Sequence, residues 1–156
     1  LLQATDWWMV RGESGSLWSA LFEPHQVVAH GRLVKQFAAD LDYGSRQRAM
    51  LALDDFDRRE VDDFIDVMDI GHIVVTPDEG SRAAWLGIVT SDWFPDYSCE
   101  HWMQRRCAWF DSSIPLIPEA SDALRKGPKG TVFNVLSHAS ALCDSFTRAM
   151  NRPQSA

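Results

Sequence analysis

The sequence predicts an α+β fold, a small β-barrel core with inserted and flanking helices. Three observations lead there. Short apolar runs bounded by Gly, Pro, Asp or Ser recur along the chain, which is a strand pattern. Residues 58–68 carry a helical period instead. The alternation of the two kinds is too irregular for a doubly wound sheet, and short strands of this sort hide their edges by closing into a barrel.

Taken in order, residues 6–11 read as a buried first strand closed by the turn Gly12, Glu13, Ser14 and Gly15. Ser16 can then cap a short helix to Phe22, because a Ser hydroxyl satisfies free amides in a first helical turn. Residues 26–30 form a second strand ended by Gly31, and residues 45–56 have helical composition. In 58–68, Val61, Phe64, Ile65 and Met68 fall at i, i+3, i+4 and i+7, one helix face, with Asp62, Asp63 and Asp66 largely opposite. Gly71 suits the helix exit. Residues 72–76 and 84–91 then pair as antiparallel strands across a turn, followed by an aromatic loop over 93–99. Further strands are expected at 102–110 and 131–136, an extended exit at 114–118, and helices at 119–126 and 139–150. One domain over 1–150 with a frayed tail over 151–156 accounts for the whole chain.

Composition sets the bounds on function. A chain of 156 residues, 46% hydrophobic, can bury one core of its own. Apolar runs such as Ile73 to Val75 are far too short to span a bilayer, so no membrane partner is expected. Three cysteines without C-x-x-C spacing argue against a disulfide framework or zinc knuckle and fit a reducing cytoplasm. A start at Leu1 rather than Met fits a piece of a longer protein. The net charge of −7 works against strong autonomous binding of long nucleic acid, since phosphate neutralisation supplies most non-specific affinity. Arginines at 46, 48, 58, 59, 105 and 106, with the stretch from Arg125 to Lys129, nevertheless allow a local basic face.

An ordered set of motifs runs through the chain: Trp8, Val10, Arg11, Gly12 and Gly15; Gly71 through Pro77; Leu86 through Trp93; Arg105 through Trp109; and Thr131, Val132 and Phe133. In this order the sequence resembles the EVE-like, PUA-superfamily (PUA/EVE/YTH) domain fused to Mrr-type and other modification-dependent restriction endonucleases. It departs from that pattern at His72, where Asp is usual, at Cys107, where Val is usual, and at His30-Gly31-Arg32, where many members have Gly-Trp. The resemblance implies a pocket for a single flipped nucleobase and a nuclease domain elsewhere in the same polypeptide.

Seven Trp and eight Phe invite an aromatic pocket, because a flipped base is held by stacking and read at its edge. Trp8, Trp85 and Trp109 sit inside strands and are read as core; Trp93 and Tyr97 fall in the loop and are the candidate walls. His30, Arg32, Glu13 and Ser14 complete the predicted base pocket. Arg11 and Gly12, with Arg105 or Arg106, are the predicted phosphate contacts, since a guanidinium binds oxyanions bidentately. An ion pair of Arg11 with Glu13 or Asp6 is the structural alternative. Arg105 and Arg106 alternate in a strand, so one of them faces inward.

Catalysis is not expected. The five histidines lack metal-ligand spacing, and no carboxylate–Lys constellation of a metal-dependent nuclease is present. The acidic run from Asp54 to Asp66 reads as a solvated helix face, and Ser137, His138 and Cys143 form no recognisable triad. No cofactor and no metal are implied. The leading expectation is a specificity domain reading a modified base, such as a methylated one, in DNA for a restriction or defence nuclease. The alternatives are a PUA-like domain binding RNA or a nucleotide, and a structural or oligomerisation domain whose pocket is filled by its own side chains.

Overall fold

The apolar runs become strands of one mixed sheet. The computed structural model describes residues 6–11, 17–30, 43–51, 53–78, 82–126 and 132–151. The strands are β1 (Trp7–Val10), β2 (Val27–His30), β3 (Ile73–Pro77), β4 (Ala83–Pro95), β5 (Met103–Trp109), β6 (Ile114–Pro115) and β7 (Val132–Asn134). The helices are α1 (Glu23–His25), α2 (Tyr43–Met50), α3 (Asp55–Asp62), α4 (Pro118–Lys126) and α5 (Ala139–Met150). A π-helical turn at Trp18–Phe22 leads into α1, and a second at Asp63–Val67 extends α3.

The seven-stranded sheet has the order β2-β5-β4-β3-β1-β7, with β6 paired to the start of β4. Strands β1 and β3 are parallel, with Trp7 opposite Ile73, and the other ladders are antiparallel. Among the described residues no ladder joins β2 to β7, so the sheet is not closed. The α+β class stands, but the barrel expected from sequence is not what these strands form. Helices pack on both faces. One face buries Trp8, Phe22, Val28, Val61, Phe64 and Met68 beneath the Trp18 turn and α3. The other buries Trp7, Met9, Val75, Leu86, Leu124 and Leu142 beneath α4 and α5. Neighbours Trp7 and Trp8 thus anchor opposite layers, as strand alternation requires.

The predicted helix face is the buried one: Val61, Phe64, Ile65 and Met68 all lie in the core. The helix boundaries differ from the sequence reading. Residues 45–56 do not form one helix, because Asp54 starts a new one: its carboxylate accepts the Asp57 amide at 2.7 Å. Arg58 closes the corner, donating from Nε to the Met50 carbonyl and from Nη2 to that of Leu53. Glu60, buried on α3, accepts the Val132 amide at 2.7 Å and so ties the helix to β7.

His72 secures the turn into β3. Its Nδ1 accepts both the Trp8 indole N–H and the Asp69 amide, each at 3.1 Å, so the ring proton resides on Nε2.

An aromatic stack fills the sheet centre. Trp18 lies parallel to Trp85 with centroids 4.6 Å apart and meets Trp109 edge-on at 5.1 Å. Trp109 donates its indole N–H to the Val27 carbonyl at 2.9 Å and stacks on Phe22. Gly87 makes room for this ring. A Cβ there would sit 2.5 Å from Cys107 Sγ and 2.8 Å from Trp109 Cε3. Gly87→Ala should therefore cost about 1–3 kcal/mol by overpacking, read as a lower urea midpoint at unchanged slope.

Candidate functional site

The candidate site forms where β2, β5 and the end of β4 come together. His30 pairs with Met103, and Met103 with Pro95, so the end of β2 meets the hairpin end of β4 and β5. Trp93 and Phe94, predicted in a loop, belong to β4: Trp93 pairs with Arg105 and Phe94 with Gln104. The ladder reaches that far because a bulge absorbs a mismatch. Between the pairs Val89–Cys107 and Trp93–Arg105, three residues of β4 face Arg106 alone. Ser91 organises the bulge. Its Oγ accepts the Arg106 amide at 2.8 Å and donates to the Asp92 carbonyl. Bulges re-aim side chains, and this one sets the direction of Trp93.

Trp102 braces the aromatic group. It is fully buried, with the half-buried Trp93 edge-on at 6.4 Å and Tyr97 at 5.7 Å. Tyr97, 45% exposed, sits on a turn held by the Asp96 amide donating to the Trp102 carbonyl at 2.8 Å and by the Asp96 carboxylate accepting the Ser98 amide. The result is a pair of partly open rings on a rigid support. Sequence reading placed Trp102 at the start of the 102–110 strand and gave it no part in the site, whereas β5 begins one residue later at Met103.

Arg105 and Arg106 part as their alternation requires. Arg105 is 2% exposed, and its guanidinium serves carbonyls. Nε donates to Phe64 O and Nη2 to Ile65 O, both at 2.9 Å, and Nη1 to Ser91 O at 3.1 Å. Phe64 and Ile65 lie in the last helical turn, where carbonyls lack helical partners, so Arg105 caps that end. This removes Arg105 from the predicted phosphate contacts. Burial lowers its pKa from the usual arginine value, while Asp92, Asp69 and Asp66 hold the charge in place. Arg106 is exposed, with its guanidinium 4.9 Å over the Phe94 ring.

Among the described residues, the remaining predicted positions are His30 and Arg11. His30 is buried, with its ring centroid 5.9 Å from that of Phe64, facing the core and not an open mouth. Arg11 follows β1, which runs parallel to β3 and antiparallel to β4, so its end lies with Pro77 and Ala84, opposite to Trp93 and Tyr97. Its guanidinium lies 5.6 Å over Phe133. The predicted phosphate contact Arg11 and the predicted wall Trp93 are thus not brought together: strand direction puts them level with opposite ends of β4. Gly12, Glu13, Ser14 and Arg32 lie outside the described residues.

Among the described residues, clefts also open away from this group. One of about 200 Å³ lies between residues 115–118 and Ser145, Arg148 and Ala149. Another, of about 70 Å³, lies between α3 and β7, lined by Phe56, Arg59, Asp63 and Phe133 among others. Burial raises the Asp63 pKa against the opposing effect of Arg59. Burial likewise pushes the Cys107 thiol up, which makes it a poor nucleophile.

No protein-family model matches the chain, and no curated protein matches it. Among solved structures, the X-ray structure of protein Atu2648 from Agrobacterium tumefaciens is 13% identical, covering 97% of this chain and 99% of that one at a TM-score of 0.47. The NMR structure of Rpa0253 from Rhodopseudomonas palustris is 14% identical, covering 97% and 98%, at a TM-score of 0.45.

Arg105 and Arg106 should behave oppositely on truncation. Arg105→Ala strands buried carbonyls and should cost about 2–5 kcal/mol in chemical denaturation. Arg106→Ala loses an exposed cation–π contact and should cost no more than about 1 kcal/mol.

Proposed function

We propose that the chain is a nucleic-acid-binding specificity domain that reads a modified, flipped base in DNA for a restriction or defence nuclease carried in the same polypeptide. The observation that supports this most is the paired, partly open rings of Trp93 and Tyr97 braced by buried Trp102 at one end of the sheet. Stacking needs an accessible ring face on a support that does not yield, and a methylated base adds apolar surface to the same contact. Exposed Arg106, on the neighbouring strand, is the phosphate contact in this reading. The order of motifs shared with the EVE-like, PUA-superfamily pattern supports the same assignment, and with it a PUA-type ancestry for the strands. The base chemistry belongs here to binding, with hydrolysis left to another domain.

A PUA-like RNA- or nucleotide-binding role is the second reading. Asp66, Asp69 and Asp92 surround the Arg105 charge beside Trp93, and the net charge is −7. Both features favour a ligand with few phosphates over a long duplex.

One binding panel tests both: methylated, hydroxymethylated and plain duplexes, RNA of matched sequence, and free nucleotides. The first reading requires preference for a modified duplex, the second for RNA or a nucleotide. No binding to any of them leaves the structural-domain alternative. Tyr97→Ala and Trp93→Ala should each weaken the preferred ligand roughly tenfold or more. Tyr97→Ala should do so with little change in melting temperature, because its ring is partly outside the core. Normal binding by both variants would move the site elsewhere.

The purified chain should not cut DNA in Mg²⁺ or Mn²⁺, since its sequence lacks the carboxylate–Lys constellation such cleavage needs. Metal-dependent nicking that survives stringent purification and is lost in Asp78→Asn or Asp96→Asn would overturn the assignment as a binder.

A further inference from the structure

We propose that the cleft between residues 115–118 and the end of α5 binds a small apolar carboxylate, with Arg148 holding its acid group. The cleft measures about 200 Å³, and residues 115–118 face Ser145, Arg148 and Ala149 across it. Its two sides are tied together. Pro115 sits in the β6 ladder opposite Ala83, and the Leu116 amide donates to the Arg82 carbonyl at 2.8 Å. The Ile117 carbonyl accepts the Ser121 amide at 3.0 Å, which joins the segment to α4. Ser145, buried on α5, spans the floor: its Oγ accepts the Ile117 amide at 2.9 Å and donates to the Ala141 carbonyl at 3.0 Å. Pro115 and Pro118 fix their own φ angles, which stiffens the wall further.

What the walls lack decides the ligand. The two prolines have no amide hydrogen, and the Leu116 and Ile117 amides and the Ser145 hydroxyl are already engaged. Leu116, Ile117 and Ala149 are partly buried and pack on the core beneath, so the lining is largely apolar. The side-chain donor that the described lining leaves open is the exposed Arg148 guanidinium. Among the described residues it forms no salt bridge, either with Asp144 one turn earlier on α5 or with Glu119 in the first turn of α4. A matching ligand brings one anionic group to the guanidinium and apolar surface to the rest. A planar carboxylate fits the guanidinium fork in two parallel bonds. A phosphate would bring more charge than one arginine answers, set against an apolar wall. Volume sets the size: sites for drug-sized ligands run to roughly 300–1,000 Å³, so this cleft suits a short-chain or single-ring acid.

The test titrates hexanoate into the whole chain and follows amide shifts by NMR. Hexanoate should bind saturably, move the amides of Leu116, Ile117 and Ala149, and weaken as salt is added. Uncharged hexanamide should bind roughly tenfold more weakly or worse, since a charge-assisted bond is lost. Arg148→Gln, at an exposed side chain, should lose a similar factor with its melting temperature unchanged. Ala149→Leu, which sets a larger side chain into the cleft, should block hexanoate, and Arg148→Gln keeps the test valid if that variant fails to fold. Arg125→Gln, at an exposed arginine on α4, should bind as the native chain does. No saturable shift, equal affinity for acid and amide, or native affinity in Arg148→Gln overturns the proposal. So does tighter binding of a short peptide through its own C-terminal carboxylate, which would make the cleft a docking site for a protein terminus. Tyr97→Ala should bind hexanoate normally, so this site stands or falls apart from the nucleobase reading.

Discussion

The guanidinium of Arg105 is the tie on which the aromatic end of the molecule depends. It reaches from β5 to two carbonyls at the end of a helical segment and to one in the β4 bulge. Each of those carbonyls would otherwise be a buried acceptor without a donor, at a cost of about 1–3 kcal/mol. Burying a guanidinium is itself costly, and here that cost is offset by three directed hydrogen bonds and three nearby aspartates. The helix end also carries the negative pole of its dipole, which favours a cation there. Helix, bulge and strand are consequently one unit, and the direction of Trp93 follows from it.

The bulge and the clasp explain each other. Three residues of β4 opposite one of β5 would leave ladder groups unpaired. Ser91 answers with its hydroxyl to the Arg106 amide and its carbonyl to the Arg105 guanidinium. Small and polar, Ser can turn either way at such a point, whereas an apolar residue would leave the Arg106 amide without its partner.

Local pattern made much of this legible. The period of Val61, Phe64, Ile65 and Met68 marked the buried helix face, and the apolar runs marked the strands within a few residues. Alternation also required Arg105 and Arg106 to part. Which of them turned inward depended on the bulge, a feature of pairing between strands that no single run displays. Strand order was invisible for the same reason: nothing local in Trp7 to Val10 says that β3 and β7 flank it. Arg11 was accordingly grouped with Trp93 when it lies at the opposite end of β4. The loop reading of Trp93 and Phe94 failed because Pro95 looked like a breaker, yet a proline can close a strand at its last residue. Aromatic richness was a poor guide to the site, since Trp18, Trp85, Trp109 and Phe22 are occupied with one another.

The position of β1 bears on how the chain reaches its native state. That strand begins the described chain, yet its partners come from the middle, at β3, and from near the end, at β7. Its hydrophobic run must wait, without a ladder, until both have been brought to it. Loop closure over such separations slows folding more than it weakens the finished structure. During synthesis the paired tryptophans Trp7 and Trp8 are exposed long before the strands that cover them emerge, which makes the first strand the segment most in need of a chaperone's protection.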